Sequence, residues 1–144
     1  MKISAKTEYA CIAIMELAMN KHSNAPIRIR NIAEKHNVPM RFLVQILLQL
    51  KGAEVVSSVR GASGGYQLTR SPEHVTLGEV MNIIDAAPAT GKRANADAET
   101  GSAVVSVLTS AWETAEQKRQ QHLHSITFAD LIKMAEERGT VFNS

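Results

Sequence analysis

Arg41 and Gln45 stand four residues apart in the segment 40–51, with Gln49 one turn further on. That spacing puts them on one face of a helix. Arginine can give guanine O6 and N7 two hydrogen bonds, and glutamine can do the same for adenine N6 and N7. Met40 opens the segment and belongs to the same candidate surface. An ordinary solvated face would look the same in sequence. Arg60 stands directly before Gly61–Ala62–Ser63–Gly64–Gly65, a turn with three glycines. Such a turn lets backbone approach phosphates, and its arginine can enter a narrow minor groove. Arg60, Gly61 and Ser63 are the candidates there, against the plain reading of a hairpin with a surface arginine. Lys2, Lys6, Arg28 and Arg30 could hold phosphates without specifying sequence, or simply add solubilising charge.

Other chemistry is sparse. The single cysteine, Cys11, excludes an intramolecular disulfide and an all-cysteine zinc site. Glu8 and Cys11 are three apart and share a helix face. With the partner subunit's His122 or His124 they could form a metal or cluster site. The alternatives are a small buried thiol beside a first-turn carboxylate favoured by the helix dipole, or a redox role for Cys11 through sulfenic acid or an intermolecular disulfide. His22, His36 and His74 read as loop residues. No glycine-rich phosphate loop precedes a helix, and no Cys–His–acid grouping sits on adjacent elements, so an enzyme is not expected.

The elements that must position these groups follow from pattern. The chain has 144 residues, 44% apolar and 4% aromatic, enough for one compact domain with or without an oligomerisation arm. It has no apolar run of membrane-spanning length. Lys2 and Lys6 ahead of Ala10–Met19 imitate a signal peptide, but Glu8 and Glu16 predict a helix of the mature protein. Residues 1–70 hold ten Lys/Arg against four Asp/Glu, a net of +6, and residues 71–144 hold six against ten, a net of −4. A basic half joined to an acidic half suggests a polyanion-binding module beside a second module.

Ser4 precedes a helix carrying Tyr9, Ile12, Ala13 and Leu17 on one face, with Ala10, Ile14 and Met15 widening it. A short helix spans 29–35. Asn37 and Pro39 break the chain before a helix over 40–51, whose inward stripe is Leu43, Ile46, Leu47 and Leu50, and Gly52 stops it. Val55, Ser57 and Val59 alternate with Val56, Ser58 and Arg60 as in a strand, and the hairpin returns through 66–69. Thr76 and Glu79 form a capping box for the next helix. Residues 88–101 have no apolar period. A long helix runs over 102–124, and a last one from Thr127, with Asp130 as its capping partner, to Arg138. The order helix, helix, turn, helix, strand, hairpin, strand, helix is that of a winged helix-turn-helix, in which the third helix enters the major groove. The fold class is α+β, mostly α. Residues 1–86 read as the DNA-binding domain, 87–101 as a linker, and 102–144 as the long helix and a terminal helix. Along the long helix Val104, Leu108, Ala111 and Ala115, flanked by Trp112, make an apolar stripe that needs a partner, its own domain or a second copy.

Three segments now carry a resemblance: the opening MKISAKTEYA, the wing Ser57–Leu68 with its Arg-Gly-x-x-Gly-Gly-Tyr core, and Val75–Val80. With Trp112 and Ile126–Leu131 they resemble the bacterial winged-helix transcription regulators that include IscR, NsrR and CymR. The likeness covers nearly the whole chain. It implies a cytoplasmic homodimer, a repressor of genes behind a roughly palindromic operator, with the long helix as dimer element and double-stranded DNA as partner. By position Gln45 and Arg60 match the helix and wing contacts, Tyr9 and the lysines lie near phosphates, and Arg41 replaces a small polar residue. Cluster-bearing members carry three cysteines, and some a histidine, where this chain has Ala94, Thr100, Ser106 and Thr109. Some recruit an acidic residue near the start of the first helix, where Glu8 stands. The usual iron–sulfur ligands are therefore absent and the cofactor is left open. A small regulatory molecule or a protein is the remaining kind of signal. The competing class is a winged-helix module used for protein contacts alone.

Overall fold

A computed structural model describes residues 2–20, 25–62, 64–85 and 102–143, with side chains as far as Gly139. Ser63, His22 and the expected 87–101 linker lie outside the described residues.

Helix α1 (Ala5–Met19) starts at Ser4, whose Oγ accepts the Thr7 N–H at 3.1 Å. Its alanines Ala10 and Ala13 are fully buried, and with so little side chain they let neighbouring helices close on several sides. Helix α2 (Ile29–His36) contributes Ile32 and Ala33 to the core, and helix α3 (Met40–Gly52) contributes the expected stripe of Leu43, Ile46, Leu47 and Leu50, all fully buried. Each of these four anchors α3 by about 2 kcal/mol of apolar burial.

Left-handed residues follow the C-terminal ends of both α2 and α3. Asn37 (φ 54°) ends α2, and the Val38 N–H reaches back to the Ala33 carbonyl at 3.0 Å. After α3 the left-handed residue is Glu54 (φ 63°), two residues beyond the glycine expected to stop the helix. Glu54 N–H bonds to the Lys51 carbonyl at 3.0 Å and Val55 N–H to that of Leu50 at 2.9 Å, the paired bonds of a Schellman motif. The motif needs an apolar contact between its outer residue and the last turn, and here Val55 supplies it. That corrects the strand reading: Val55 and Val56 are both buried, and from there exposure rises along the strand to Ser58 and Val59 without the expected alternation.

Strand β1 (Val56–Val59) pairs antiparallel with β2 (Gly65–Leu68), from Val56 opposite Leu68 to Val59 opposite Gly65. Ile27, which the sequence pattern assigns to no element, forms a bridge to Tyr66 with bonds of 2.8 and 2.7 Å and so fixes the second strand of the hairpin to the entrance of α2. At Gly65 a Cβ would lie 2.4 Å from the Ile27 carbonyl oxygen, so only glycine permits this approach.

A 3₁₀ turn (Pro72–His74) leads into α4 (Leu77–Ile84), capped by Thr76 Oγ1 accepting from the Glu79 N–H at 3.1 Å. Only half of the expected capping box forms, because Arg70 takes the Glu79 carboxylate with two bonds of 3.0 and 2.8 Å. At its other end Asp85 ties α4 to the start of α1: its carboxylate accepts from buried Thr7 at 2.6 Å and from Ser4 at 3.1 Å.

The long helix α5 (Ala103–Ser125) meets this body only near its end, where Leu123 is buried and His124 crosses Gly78. The last helix, α6 (Phe128–Asn143), begins with both halves of the Thr127–Asp130 capping box at 3.1 Å. It packs along α1 and the 3₁₀ turn, a contact that local propensity does not reveal, and it continues past the expected end at Arg138 and through Gly139. Its Phe128 is fully buried among the residues of the winged-helix core. No helix among the described residues is long and apolar enough to cross a membrane.

Candidate nucleic-acid interface

The outward arc of α3 holds Met40, Arg41, Val44, Gln45, Leu48 and Lys51, all exposed. The helix has no acidic residue, so the two charges on its exposed side, Arg41 and Lys51, are both positive. Arg41 and Gln45 share that side as expected. Gln49 does not: it turns inward, and its amide oxygen is buried without a hydrogen-bond partner. Sequence reasoning took 45 and 49 as one line, but at about 100° per residue the second lies 40° further round, at the edge of the buried side.

Arg41 is held before any ligand arrives. Its guanidinium lies 5.1 Å above the Phe42 ring, and Phe42 packs at 6.0 Å against Tyr9 of α1. This contact narrows the arginine's rotamers and so lowers the entropy lost when it binds. Tyr9 thereby joins the α1 side of the surface to α3, while Lys2 is exposed and Lys6 half-buried on the same helix end.

Arg60 is exposed just beyond β1, and Gly61 and Ala62 after it are exposed too. The Gly64 N–H closes the turn on the Gly61 carbonyl at 2.9 Å. Arg28 and Arg30, both exposed, flank the start of α2, and the Ile27–Tyr66 bridge joins that start directly to the wing. The cations of α2 and the wing therefore sit on one braced unit. The signal that reveals this, a lone bridging residue, has no period in sequence.

The second candidate surface is α5. Val104, Leu108, Ala111, Trp112 and Ala115 are all exposed, Val104 by 69% and Trp112 by 68%. Among the described residues nothing covers the stripe. Val107, 68% exposed, extends it and was not singled out by the spacing.

The candidate metal ligands are differently placed. Burial pushes the Cys11 thiol up to about 11, and the carboxylates of Glu8 and Asp85 push the same way. The thiolate needed for ligation or oxidation is thus disfavoured at neutral pH. His124 Nδ1 donates to the Gln120 carbonyl at 2.9 Å, and its Nε2 faces the Asn82 amide at 3.5 Å. His122 is exposed at the end of α5.

Residues 3–134 match the model of the Rrf2 family, described as iron-dependent transcriptional regulators. The chain belongs to that family. IscR of Cereibacter sphaeroides is 30% identical over 92% of this chain and 88% of its own length, and CymR of Bacillus subtilis is 36% identical over 59% of this chain and 61% of its own length. Among solved structures, T. potens IscR superposes with a TM-score of 0.76 at 30% identity, covering 96% of this chain and 90% of that one. The oxidized form of Staphylococcus aureus CymR gives 0.72 at 26%, covering 92% and 96%. The winged helix and the role in transcription regulation are family properties that this chain shares.

Iron dependence in the family description raises the question of fit. A sulfide-bridged iron cluster is held by thiolates or imidazoles. From Ala86 to Glu113 the chain has neither cysteine nor histidine. Ser106 and Thr109, on α5, offer hydroxyls, while Ala94 and Thr100 lie outside the described residues. Among the described residues no three His, Cys, Asp or Glu side chains come together. The residues present do not fit a thiolate-held cluster.

Proposed function

We propose that this regulator is a cytoplasmic homodimer that represses transcription by occupying a roughly palindromic operator. The observation that carries the reading is the acid-free outer side of α3, where preoriented Arg41 and Gln45 stand exposed. In each subunit α3 enters a major groove, Arg41 and Gln45 address base edges, and Arg60 enters the neighbouring minor groove beside Gly61. Met40 lines the same groove, Lys2, Lys6, Tyr9, Arg28 and Arg30 meet phosphates, and the turn residue Ser63 belongs to the wing contact. The exposed stripe of α5 pairs two copies about a two-fold axis, which presents two α3 helices to two half-sites. Occupancy of a promoter then excludes the transcription machinery.

Selection from a random duplex pool tests this. The expected result is enrichment of an inverted repeat whose half-site centres lie about one helical turn apart, or a multiple of it. A pool that stays random would remove the reading and favour a module for protein contacts.

A further inference from the structure

The outermost residues of α3 are apolar. Met40, Val44 and Leu48 form an i, i+4, i+8 ridge, exposed by 45%, 40% and 56%. At about 100° per residue the middle of the exposed arc falls between Val44 and Leu48, with Arg41 beside them and Gln45 at the flank. Whatever α3 enters meets these two side chains together with Arg41. Their sequence neighbours Leu43 and Leu47 are fully buried, so the core has no use for the ridge.

We propose that Val44 and Leu48 read thymine 5-methyl groups on the floor of the major groove. The inference rests on the reading of α3 as the base-contacting helix. Three features favour this occupant over an apolar protein surface. Arg41 and Lys51 frame the ridge and no acid accompanies it on α3, which suits a polyanion. The elements before and after α3 in the chain, α2 and the wing, carry the further exposed cations Arg28, Arg30 and Arg60 on one braced unit. Within a polyanionic groove the thymine methyl is the apolar group that base edges present. Residues four apart are spaced about 6 Å along a helix, so the two side chains address neighbouring base-pair steps. Recognition is then divided: Arg41 and Gln45 select by hydrogen bonds, and Val44 and Leu48 select thymine by contact and desolvation.

Deoxyuridine substitution tests this, because it removes only the methyl. In duplexes enriched by the selection above, each thymine is replaced singly and affinity is measured by fluorescence anisotropy. The protein is used as parent, Val44→Ala and Leu48→Ala, exposed positions whose truncation costs the fold little. The expected loss is about fourfold per buried methyl, at one or two thymines in each half-site. At those thymines the matching alanine variant binds both duplexes equally, while Gln45→Ala keeps the penalty. Penalties that are absent, or identical in parent and both alanine variants, would overturn the proposal, the latter pointing to altered DNA stiffness. Enriched half-sites without thymine would overturn it too. If no duplex enriches, the base-reading assignment of α3 fails first; if duplexes enrich and deoxyuridine is silent, only the methyl reading fails.

Discussion

Replacing Leu108 and Trp112 together by glutamate is expected to yield a folded monomer with operator affinity reduced by about 1,000-fold. Both side chains are exposed, by 48% and 68%, and neither supports its own subunit. Folding therefore loses little, and circular dichroism and urea unfolding should match the parent within about 0.5 kcal/mol. Pairing loses far more, since carboxylates in an apolar interface must be desolvated without a cation. A monomer reaches one half-site at a time and forfeits the effective concentration that a linked second site provides. Sedimentation equilibrium reads the association and anisotropy reads the affinity. A double variant that remains dimeric would move the interface off this stripe.

The second large effect separates the wing from the helix. Arg60→Ala removes one cation from each subunit at the tip of a hairpin held by the Ile27–Tyr66 bridge. Affinity should fall by about 10- to 100-fold, chiefly on operators with a narrow minor groove, while base preference under α3 is unchanged. Gln45→Ala should behave in the opposite way. It should cost about 1–3 kcal/mol against the preferred base at one position per half-site and little elsewhere. Measuring both variants on a panel of single-base operator variants decides the matter. Equal behaviour on every duplex would mean that neither side chain has the assigned contact.

These residues differ in how readily they could be read from sequence. Arg41, Gln45 and Arg60 stood out because local rules place them: the buried stripe of α3 leaves them outside, and glycines mark the turn after Arg60. The Thr127–Asp130 cap is equally local and formed as expected. What escaped is non-local. Nothing near Asp85 foretells its bonds to Ser4 and Thr7 at the other end of the domain. Arg70 intercepts Glu79 across the 3₁₀ turn and so halves a capping box that sequence shows whole. Val55 fits a strand by pattern, yet the Schellman motif after α3 claims it. Val44 and Leu48 escaped for a different reason: in a leucine-rich helix, exposed and buried apolar residues look alike until the core shows which face it takes. Cys11 reads in sequence first as a small buried residue and less readily as a ligand or redox group, and its buried, acid-flanked setting favours the protonated thiol.

The central claim is that two cationic α3–wing surfaces grip a duplex through its phosphates as well as its bases. The most direct test is the salt dependence of affinity for a selected duplex. If the paired subunits neutralise about six to ten phosphates, log K against log salt should fall with a slope of about −5 to −9. A slope near zero would contradict the account, because a surface that binds without releasing counterions is not gripping DNA.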